Sequence, residues 1–232
     1  MSVNLNIIEK DLNLKFENKD LLKIAFIHRS FLNEHPEEEL PHNERLEFLG
    51  DAVLGIIVSK HLYDSYPKHP EGDLTNFRSS LVNAKTLAKA SSALNLGDFL
   101  FLSKGEESTG GRKRQYILAN TLEALIGAIF LDQGLEETTN FVQKHLLVYL
   151  GEIIEKKLYK DFKSLLQEKA QEDLGVTPTY KLLGEEGPDH AKVFKIGVNV
   201  GKRKAAEGQG NSKQEAEQEA AKKALEKWVE IS

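Results

Sequence analysis

Apolar residues recur at spacings of three and four along the first 150 residues, which is the period of an amphipathic α-helix. The repeat is clearest over residues 21–26, 46–57 and 81–88. A further helix is predicted from about Gln115 to Asp132, where nearly every position is apolar. The first part of the chain is therefore predicted to be a series of helices.

Residues typical of helix ends and loops separate these segments. His42 or Asn43 is predicted to begin the second helix, and Pro67 and Pro70 are predicted to end it. The segment KGEESTGGRKR, residues 104–114, contains three glycines. Glycine is frequent in turns, so this segment is predicted to be a mobile loop.

The pattern changes near residue 158. A helical stretch over residues 161–173 precedes three short strand-like runs, which turns with Gly and Pro separate. A last helix is predicted to begin at Ser212, because Glu215 follows at the spacing of a capping box. The order of elements in this part is therefore α-β-β-β-α.

These patterns predict a mainly α protein with two domains. Residues 1–155 are expected to form an all-helical domain, and residues 156–232 a small α+β domain. The chain has 232 residues, of which 40% are hydrophobic, so both domains have enough apolar material for a core.

Composition excludes several classes of protein. There is no cysteine, which rules out disulfides, thiolate nucleophiles and cysteine-ligated metal sites. No apolar run approaches the roughly 20 residues of a membrane span, and the first residues lack the pattern of a signal peptide. We therefore expect a cytoplasmic protein with no membrane partner.

An acidic stripe lies on the second predicted helix. Glu44, Glu47 and Asp51 stand at positions i, i+3 and i+7, which places them on one face. Like charges at this spacing slightly destabilise a helix, and most such stripes are simply solvated. Taken alone, the stripe favours that interpretation.

A second acidic position changes this balance. Asn120 and Glu123 share one face of the apolar helix YILANTLEALIGAIFL, where an unpaired carboxylate would be costly to bury. One solution is an ion pair with an arginine, for which the candidates are Arg29, Arg45 and Arg78. The other is a divalent cation held by oxygen ligands from both helices, and Mg²⁺ fits such ligands best.

The chain resembles the ribonuclease III family over almost its whole length. The most specific segment is HNERLEFLGDAVL, residues 42–54, and the resemblance continues through PEGDLTNFRSSLVNAKTLA, KGEESTGGRKR and ILANTLEALIGAIFLDQG. The C-terminal part resembles a double-stranded RNA-binding domain in LLQE, GPDHAKVF and GQGNSKQEAEQEAAKKAL.

The resemblance implies a metal site and a set of residues around it. The expected ligands of Mg²⁺, for which Mn²⁺ could substitute, are Glu47, Asp51, Asn120 and Glu123. Asp51 and Glu123 are the expected catalytic residues. Glu44 and Glu71 match further acidic positions of the cleavage valley. Phe48 matches an aromatic residue that inserts into a partner subunit, although ordinary core packing would explain it equally well.

One position departs from the family. Asn120 stands where the family most often has Asp. An amide oxygen still coordinates a cation, but it carries no charge and cannot act as a base. The change is consistent with a natural variant that cleaves, a natural binder that cleaves poorly, or an engineered substrate trap. We favour the first, because Glu47, Asp51 and Glu123 are all present.

The expected RNA-binding surface consists of local patches, because residues 161–232 carry 12 basic against 13 acidic side chains. A domain of this kind reads duplex RNA through 2′-hydroxyls and phosphates. The expected contacts in the C-terminal domain are Ser164, Gln167, Gln171, His190, Lys192, Ser212 and Lys213. In the N-terminal domain they are Arg112, Lys113 and Arg114. A solvated loop is the alternative, but the position of this cluster just before the helix with Asn120 and Glu123 favours contact with RNA.

By resemblance, the chain is expected to be a homodimeric, Mg²⁺-dependent endoribonuclease that cuts double-stranded RNA. Its products would carry a 5′ phosphate, a 3′ hydroxyl and short 3′ overhangs, and precursor ribosomal RNA is the expected substrate. The alternative is a double-stranded RNA-binding regulator or substrate trap, impaired by Asn120. A more remote alternative is a helical metal-binding protein with an unrelated interaction module.

Overall fold

The computed structural model of the chain describes residues 5–155, 161–188 and 192–228. The chain divides into two compact units, Met1–Tyr159 and Lys160–Ser232. The domain boundary predicted between residues 155 and 156 adjoins residues 156–160, which lie outside the described residues. It therefore stays a prediction at the level of single residues.

The first unit is helical in its described residues. Its α-helices are α1 Leu5–Leu12, α2 Lys19–Phe26, α3 Arg29–Glu34, α4 Glu44–Ser65, α5 Glu71–Leu81, α6 Ala84–Ala93, α7 Lys104–Ser108, α8 Gln115–His145 and α9 Leu150–Glu155. Short 3₁₀ helices cover Leu96–Phe99, Gly111–Lys113 and Leu147–Tyr149. The long helices α4 and α8 pack against each other at the centre, and the hydrophobic core surrounds them.

Helix α4 begins and ends as predicted, but its first cap is unusual. Asn43 is the N-cap residue, and its side chain makes no capping hydrogen bond. Its amide is buried instead and donates to the carbonyl oxygen of Ala25, 3.2 Å away. At the other end, α4 stops at Ser65, two residues before Pro67, because the residue preceding a proline disfavours helical geometry.

Two predictions about the first unit are wrong in detail. The apolar run over residues 81–88 belongs to two helices, because Asn83 interrupts it and accepts a hydrogen bond from the amide of Thr86 at 2.9 Å. Residues 104–114 are not a loop but form α7 and a 3₁₀ turn. Arg112 orders this segment by donating to the carbonyl oxygens of Gly97 and Leu100, each at 3.0 Å.

Helix α8 runs past the predicted end at Asp132, with a break at Gly134. The backbone there has φ 80° and ψ −174°, a conformation that glycine adopts readily and other residues rarely do. The carboxylate of Asp132 turns back and accepts hydrogen bonds from the amides of Glu17 and Asn18. These bonds tie the start of α2 to the middle of α8.

In the described part of the second unit, two helices cover one face of an antiparallel sheet. The elements are α10 Phe162–Leu174, β1 Thr179–Glu186, β2 Val193–Val200, β3 Arg203–Gly210 and α11 Lys213–Glu226, with strand order β1-β2-β3. Helix α11 begins after Ser212, whose hydroxyl accepts from the amide of Glu215 at 3.1 Å. The Glu215 carboxylate returns to the amide of Asn211 rather than to Ser212.

The core of the second unit lies between the sheet and the two helices. Trp228 closes one end, where its indole N–H donates to Asp173 at 2.7 Å. The predicted mainly α fold, with a helical domain followed by an α-β-β-β-α domain, is confirmed. None of the described helices is long and apolar enough to cross a membrane.

Candidate functional site

Two glycines bring the backbones of α4 and α8 into direct contact. A Cβ atom on Gly50 would lie 1.8 Å from the carbonyl oxygen of Glu123, and one on Gly127 would lie 2.3 Å from that of Leu46. Real Cβ contacts are essentially never under 3.0 Å, so neither position accepts a larger residue without movement of the backbone. This close crossing places the acidic side chains of α4 next to those of α8.

The carboxylates of Glu47, Asp51 and Glu123 interact at this crossing. Burial, followed by the charges of Asp51 and Glu47, raises the pKa of Glu123 to about 7. Burial and the charge of Glu44 also raise the pKa of Glu47. Elevated pKa values from desolvation and like charges are typical of functional sites. The sequence-predicted cluster is therefore assembled by the fold.

The ion-pair explanation for Glu123 is wrong. Glu123 forms no ion pair with any residue that the structure describes. Two of the candidate arginines have other partners, since Arg29 lies 3.6 Å from Glu44 and Arg78 donates to the hydroxyl of Ser59 at 3.0 Å. Arg45 is exposed to solvent. The half-buried carboxylate of Glu123 thus has no cationic partner among the residues that the structure describes.

Asn120 adjoins the carboxylates and acts on one of them, Glu47. The polar side chain of Asn120 acts to lower the pKa of Glu47, against the larger effect of burial. The amide thus partly offsets the repulsion between Glu47 and its acidic neighbours. Its oxygen remains an acceptor that a cation could use.

This donor set suits a hard divalent cation. Carboxylate and amide oxygens are preferred ligands of Mg²⁺. Within the described part of the chain, Glu47, Asp51 and Glu123 form no ion pair with a basic side chain. Among the described residues, no three His, Cys, Asp or Glu side chains converge closely enough to enclose a metal by themselves. Waters and substrate oxygens would therefore have to complete the coordination, as is usual for Mg²⁺.

The two other acidic residues lie around the cluster in different ways. Glu44 begins α4 and lies between Arg29 and His42, at 3.6 and 3.8 Å. Glu71 begins α5, accepts from the hydroxyl of Thr75 at 2.8 Å, and lines a small cavity with Arg78. Besides burial, the charge of Glu44 raises the pKa of Glu47.

Phe48 points away from the core, so the packing interpretation of this residue is wrong. Its side chain is 80% exposed. Ile56 on α4 and Leu131 and Leu135 on α8 are also exposed apolar residues, which the helical repeat did not reveal because they fit a core equally well. The second halves of α4 and α8 line an open groove of about 600 Å³, to which Ile56 and Leu135 contribute. The exposed side of α4 that presents Phe48 is called the Phe48 face.

The three basic residues predicted to contact RNA in the first unit differ in whether they already form ion pairs within the protein. Arg112 is paired with Glu107 at 2.7 Å in addition to its carbonyl partners. Arg114 is paired with Glu106. Lys113 is exposed. Of the three predicted RNA contacts, both arginines therefore already have partners within residues 97–114 of the protein.

The predicted RNA contacts of the second unit lie at its surface wherever they are described. Gln167 and Gln171 are exposed on α10, and the Ser164 hydroxyl donates to Asp161 at 2.9 Å. Lys192 lies 3.3 Å from Glu185. Ser212 caps α11, and the Lys213 ammonium lies 5.9 Å from the centre of the Phe194 ring. His190 lies outside the described residues.

The carboxylates of three glutamates near the start of α11 have partners within the protein. Glu215 and Glu219 accept hydrogen bonds from the backbone amides of Asn211 and Gln209. Glu217 pairs with Lys163 at 2.6 Å. The excess of acidic side chains in this unit therefore serves its fold, and it does not exclude binding of a polyanion.

Each of the two units matches a known protein family. Residues 18–150 match the Ribonuclease-III-like family, and residues 162–228 match the double-stranded RNA binding motif. The chain is 46% identical to Ribonuclease 3 of Pelotomaculum thermopropionicum, over 96% of this chain and 92% of that protein. It is 45% identical to Ribonuclease 3 of Streptococcus gordonii, over 96% and 95%.

Among solved structures, the nuclease domain of ribonuclease III from Campylobacter jejuni aligns with a TM-score of 0.58 and 41% identity. The alignment covers 62% of this chain and 97% of that one. The family matches, the relatives and the fold agree with the resemblance seen in the sequence. The chain therefore belongs to the ribonuclease III family of endoribonucleases, with a double-stranded RNA-binding domain after its nuclease domain.

Proposed function

We propose that the carboxylates at the crossing of α4 and α8 are the cleavage site of a Mg²⁺-dependent endonuclease acting on double-stranded RNA. The observation that carries the proposal is Glu123, a half-buried carboxylate next to two other carboxylates and without a cationic partner among the described residues. Such an arrangement is costly in a structural core, and a bound cation would offset the cost.

Each residue of the cluster has a proposed role that follows from its position. Glu47, Asp51 and Glu123 would hold Mg²⁺, and the Asn120 oxygen would be a neutral fourth donor. When bound, the metal would lower the pKa of a water and stabilise the leaving oxygen of a phosphodiester. Asp51 is exposed, so it is the carboxylate best placed to meet solvent and substrate. Glu123 lies deeper and fixes the charge of the site.

Attack of water on the phosphorus atom, with departure of the 3′ oxygen, leaves a 5′ phosphate and a 3′ hydroxyl. A homodimer would present two such sites, one for each strand, and staggered cuts would leave short 3′ overhangs. The double-stranded RNA-binding domain supports a duplex substrate. We further propose precursor ribosomal RNA in the bacterial cytoplasm as the main substrate.

No observation favours a binding regulator that does not cleave. Loss of the charge at position 120 weakens attraction for a cation about 4 Å away by up to ~4 kcal/mol at an effective dielectric constant near 20, before relaxation. The three remaining carboxylates retain most of the attraction. The site is therefore expected to work, at a higher metal concentration than an otherwise identical site with Asp.

A cleavage assay on a long RNA duplex tests this proposal. We expect the chain to cut in Mg²⁺ or Mn²⁺ and to leave short 3′ overhangs. Asn120→Asp is expected to lower the metal concentration for half-maximal cleavage by about tenfold, because it restores a charge beside the cation. Binding to the duplex is measured in parallel. If the chain binds RNA but cuts only as Asn120→Asp, the proposal fails in favour of a binding regulator.

We also propose that the Phe48 face joins two copies of the chain. The solved nuclease domain from Campylobacter jejuni has a region involved in dimer formation, which supports this assembly. An aromatic side chain that is 80% exposed has much apolar area to bury, and interfaces are enriched in such residues.

Phe48→Asp is expected to weaken the dimer strongly. Replacing a central aromatic residue costs about 2–4 kcal/mol, so the dissociation constant should rise at least about 30-fold. Sedimentation equilibrium measures this change. Ile7→Asp is the control, because Ile7 is an exposed apolar residue on α1, outside the Phe48 face. Equal dimer stability in the two variants would count against the assignment.

A further inference from the structure

An exposed aromatic residue lies on the same strip of α8 as the cleavage site. From Gln115 to Ile129, the residues that reach solvent are Gln115, Tyr116, Asn120 and Glu123, whereas the rest are buried. Tyr116, Asn120 and Glu123 stand at positions i, i+4 and i+7, so they share one face of the helix. Tyr116 is half exposed and lies about 6 Å along the helix axis from Asn120.

The hydroxyl of Tyr116 is oriented by its neighbour. Arg114 Nη1 donates to the phenolic oxygen at 3.3 Å, and the guanidinium carbon lies 5.8 Å from the ring centre. Arg114 is itself fixed, since its Nη2 donates to the carbonyl oxygen of Thr109 at 3.1 Å and it pairs with Glu106. Because the phenolic oxygen is the acceptor, the Tyr116 O–H proton remains free to donate outward.

The charges around Tyr116 indicate what it would bind. The ion pair between Arg114 and Glu106 has no net charge, and Glu123 farther along the strip is acidic. A neutral acceptor fits this setting better than a second phosphate. On double-stranded RNA the exposed neutral group of the backbone is the ribose 2′-hydroxyl, which both donates and accepts hydrogen bonds.

We propose that Tyr116 hydrogen-bonds to the ribose 2′-hydroxyl of a nucleotide next to the scissile phosphate, and so helps the site to select RNA over DNA. The inference rests on the proposed function, because it requires the strand to lie at the carboxylates. Tyr116 is a substrate-positioning residue in this scheme, and Arg114 orients it.

A thermodynamic cycle on cleavage rates tests the proposal in the full chain. Duplexes with a single 2′-deoxynucleotide at each position near the cut are compared with all-RNA duplex, for the parent chain and for Tyr116→Phe. We expect Tyr116→Phe to lower kcat/KM on all-RNA duplex by about three- to tenfold, the effect of one hydrogen bond. We expect one deoxy position to cost the parent chain a similar factor and to cost Tyr116→Phe nothing further.

Tyr63→Phe is the matched control, because it removes an exposed phenol near the far end of α4. It should keep the full deoxy penalty. The inference is overturned if Tyr116→Phe leaves kcat/KM unchanged, or if the two losses multiply at every deoxy position. It is also overturned if the variant changes the oligomeric state, or if only a methylphosphonate substitution couples to Tyr116. A parent chain that cuts no duplex with any divalent metal would instead refute the proposed function, and this inference with it.

Discussion

Glu123→Gln is expected to slow duplex cleavage by about a thousandfold while leaving RNA affinity nearly unchanged. The substitution keeps the shape of the side chain but removes the deepest negative charge at the crossing of α4 and α8. Single-turnover cleavage and equilibrium binding of the same duplex separate the two effects. Glu137→Gln, an exposed position farther along α8, is the control and should cleave at the parent rate. A cleavage loss of less than tenfold would contradict the role given to Glu123.

The same variant makes a separate prediction about stability without metal. Burial raises the pKa of Glu123 from 4.5 to about 7, so the folded state binds a proton that the unfolded chain has released. Metal-free protein should therefore lose stability as the pH rises from about 4.5 to about 7. Glu123→Gln removes this loss, and urea unfolding at pH 8 should show a gain of about 1–2 kcal/mol after allowance for solvent screening. A variant less stable than the parent at pH 8 would contradict the burial of an unpaired charge.

Substitution of Gly50 or Gly127 by Ala is expected to separate the two helices. The added Cβ would meet a backbone carbonyl at 1.8 or 2.3 Å, and backbone atoms cannot rotate away as a flexible side chain would. Overpacking of this kind typically costs 1–3 kcal/mol and occasionally more, so we expect a loss of about 2–4 kcal/mol in the free energy of unfolding. A shift of about 1 Å between the carboxylates should lower cleavage about 100-fold in protein that remains folded.

Gly72→Ala is the control for these two variants. Gly72 lies in α5, and a Cβ there meets no atom within 4 Å. Because Ala favours the helix over Gly, this control should be as stable as the parent or slightly more stable. Urea unfolding and single-turnover cleavage are measured for all three variants. Parent-like cleavage in folded Gly127→Ala would show that the close crossing does not position the site.

Local patterns predicted most helices and strands of this protein. The helical repeat predicted α4 and α8, and the capping box predicted the start of α11 at Ser212. These predictions succeeded because the signals lie within a few residues of each other. The errors arose where distant partners decide the outcome. The composition of residues 104–114 is typical of a loop. In the structure, Arg112 donates hydrogen bonds to the carbonyl oxygens of residues 97 and 100, and these bonds order the segment.

The candidate site shows the same division. The spacing of Glu44, Glu47 and Asp51 placed them on one face, but their sequence did not reveal whether water or a second helix covers that face. Whether Glu123 forms an ion pair with an arginine depends on which side chains the fold brings near it. Likewise, helical periodicity alone does not reveal that Phe48 and Tyr116 are exposed, because apolar residues on a helix fit a core or a binding surface equally well.

The family, the order of the elements and the residue types of the site could all be read from the amino-acid sequence, because each depends on residue identity and short-range spacing. The packing of the helices could not be read in this way. It is in the tertiary structure that Gly50 and Gly127 allow the backbones of α4 and α8 to touch. This contact places Glu123 beside Glu47 and Asp51, and no basic side chain among the described residues pairs with it. Burial and charge proximity are properties of distances between residues about 70 positions apart in the chain, and those distances exist only once the helices have packed.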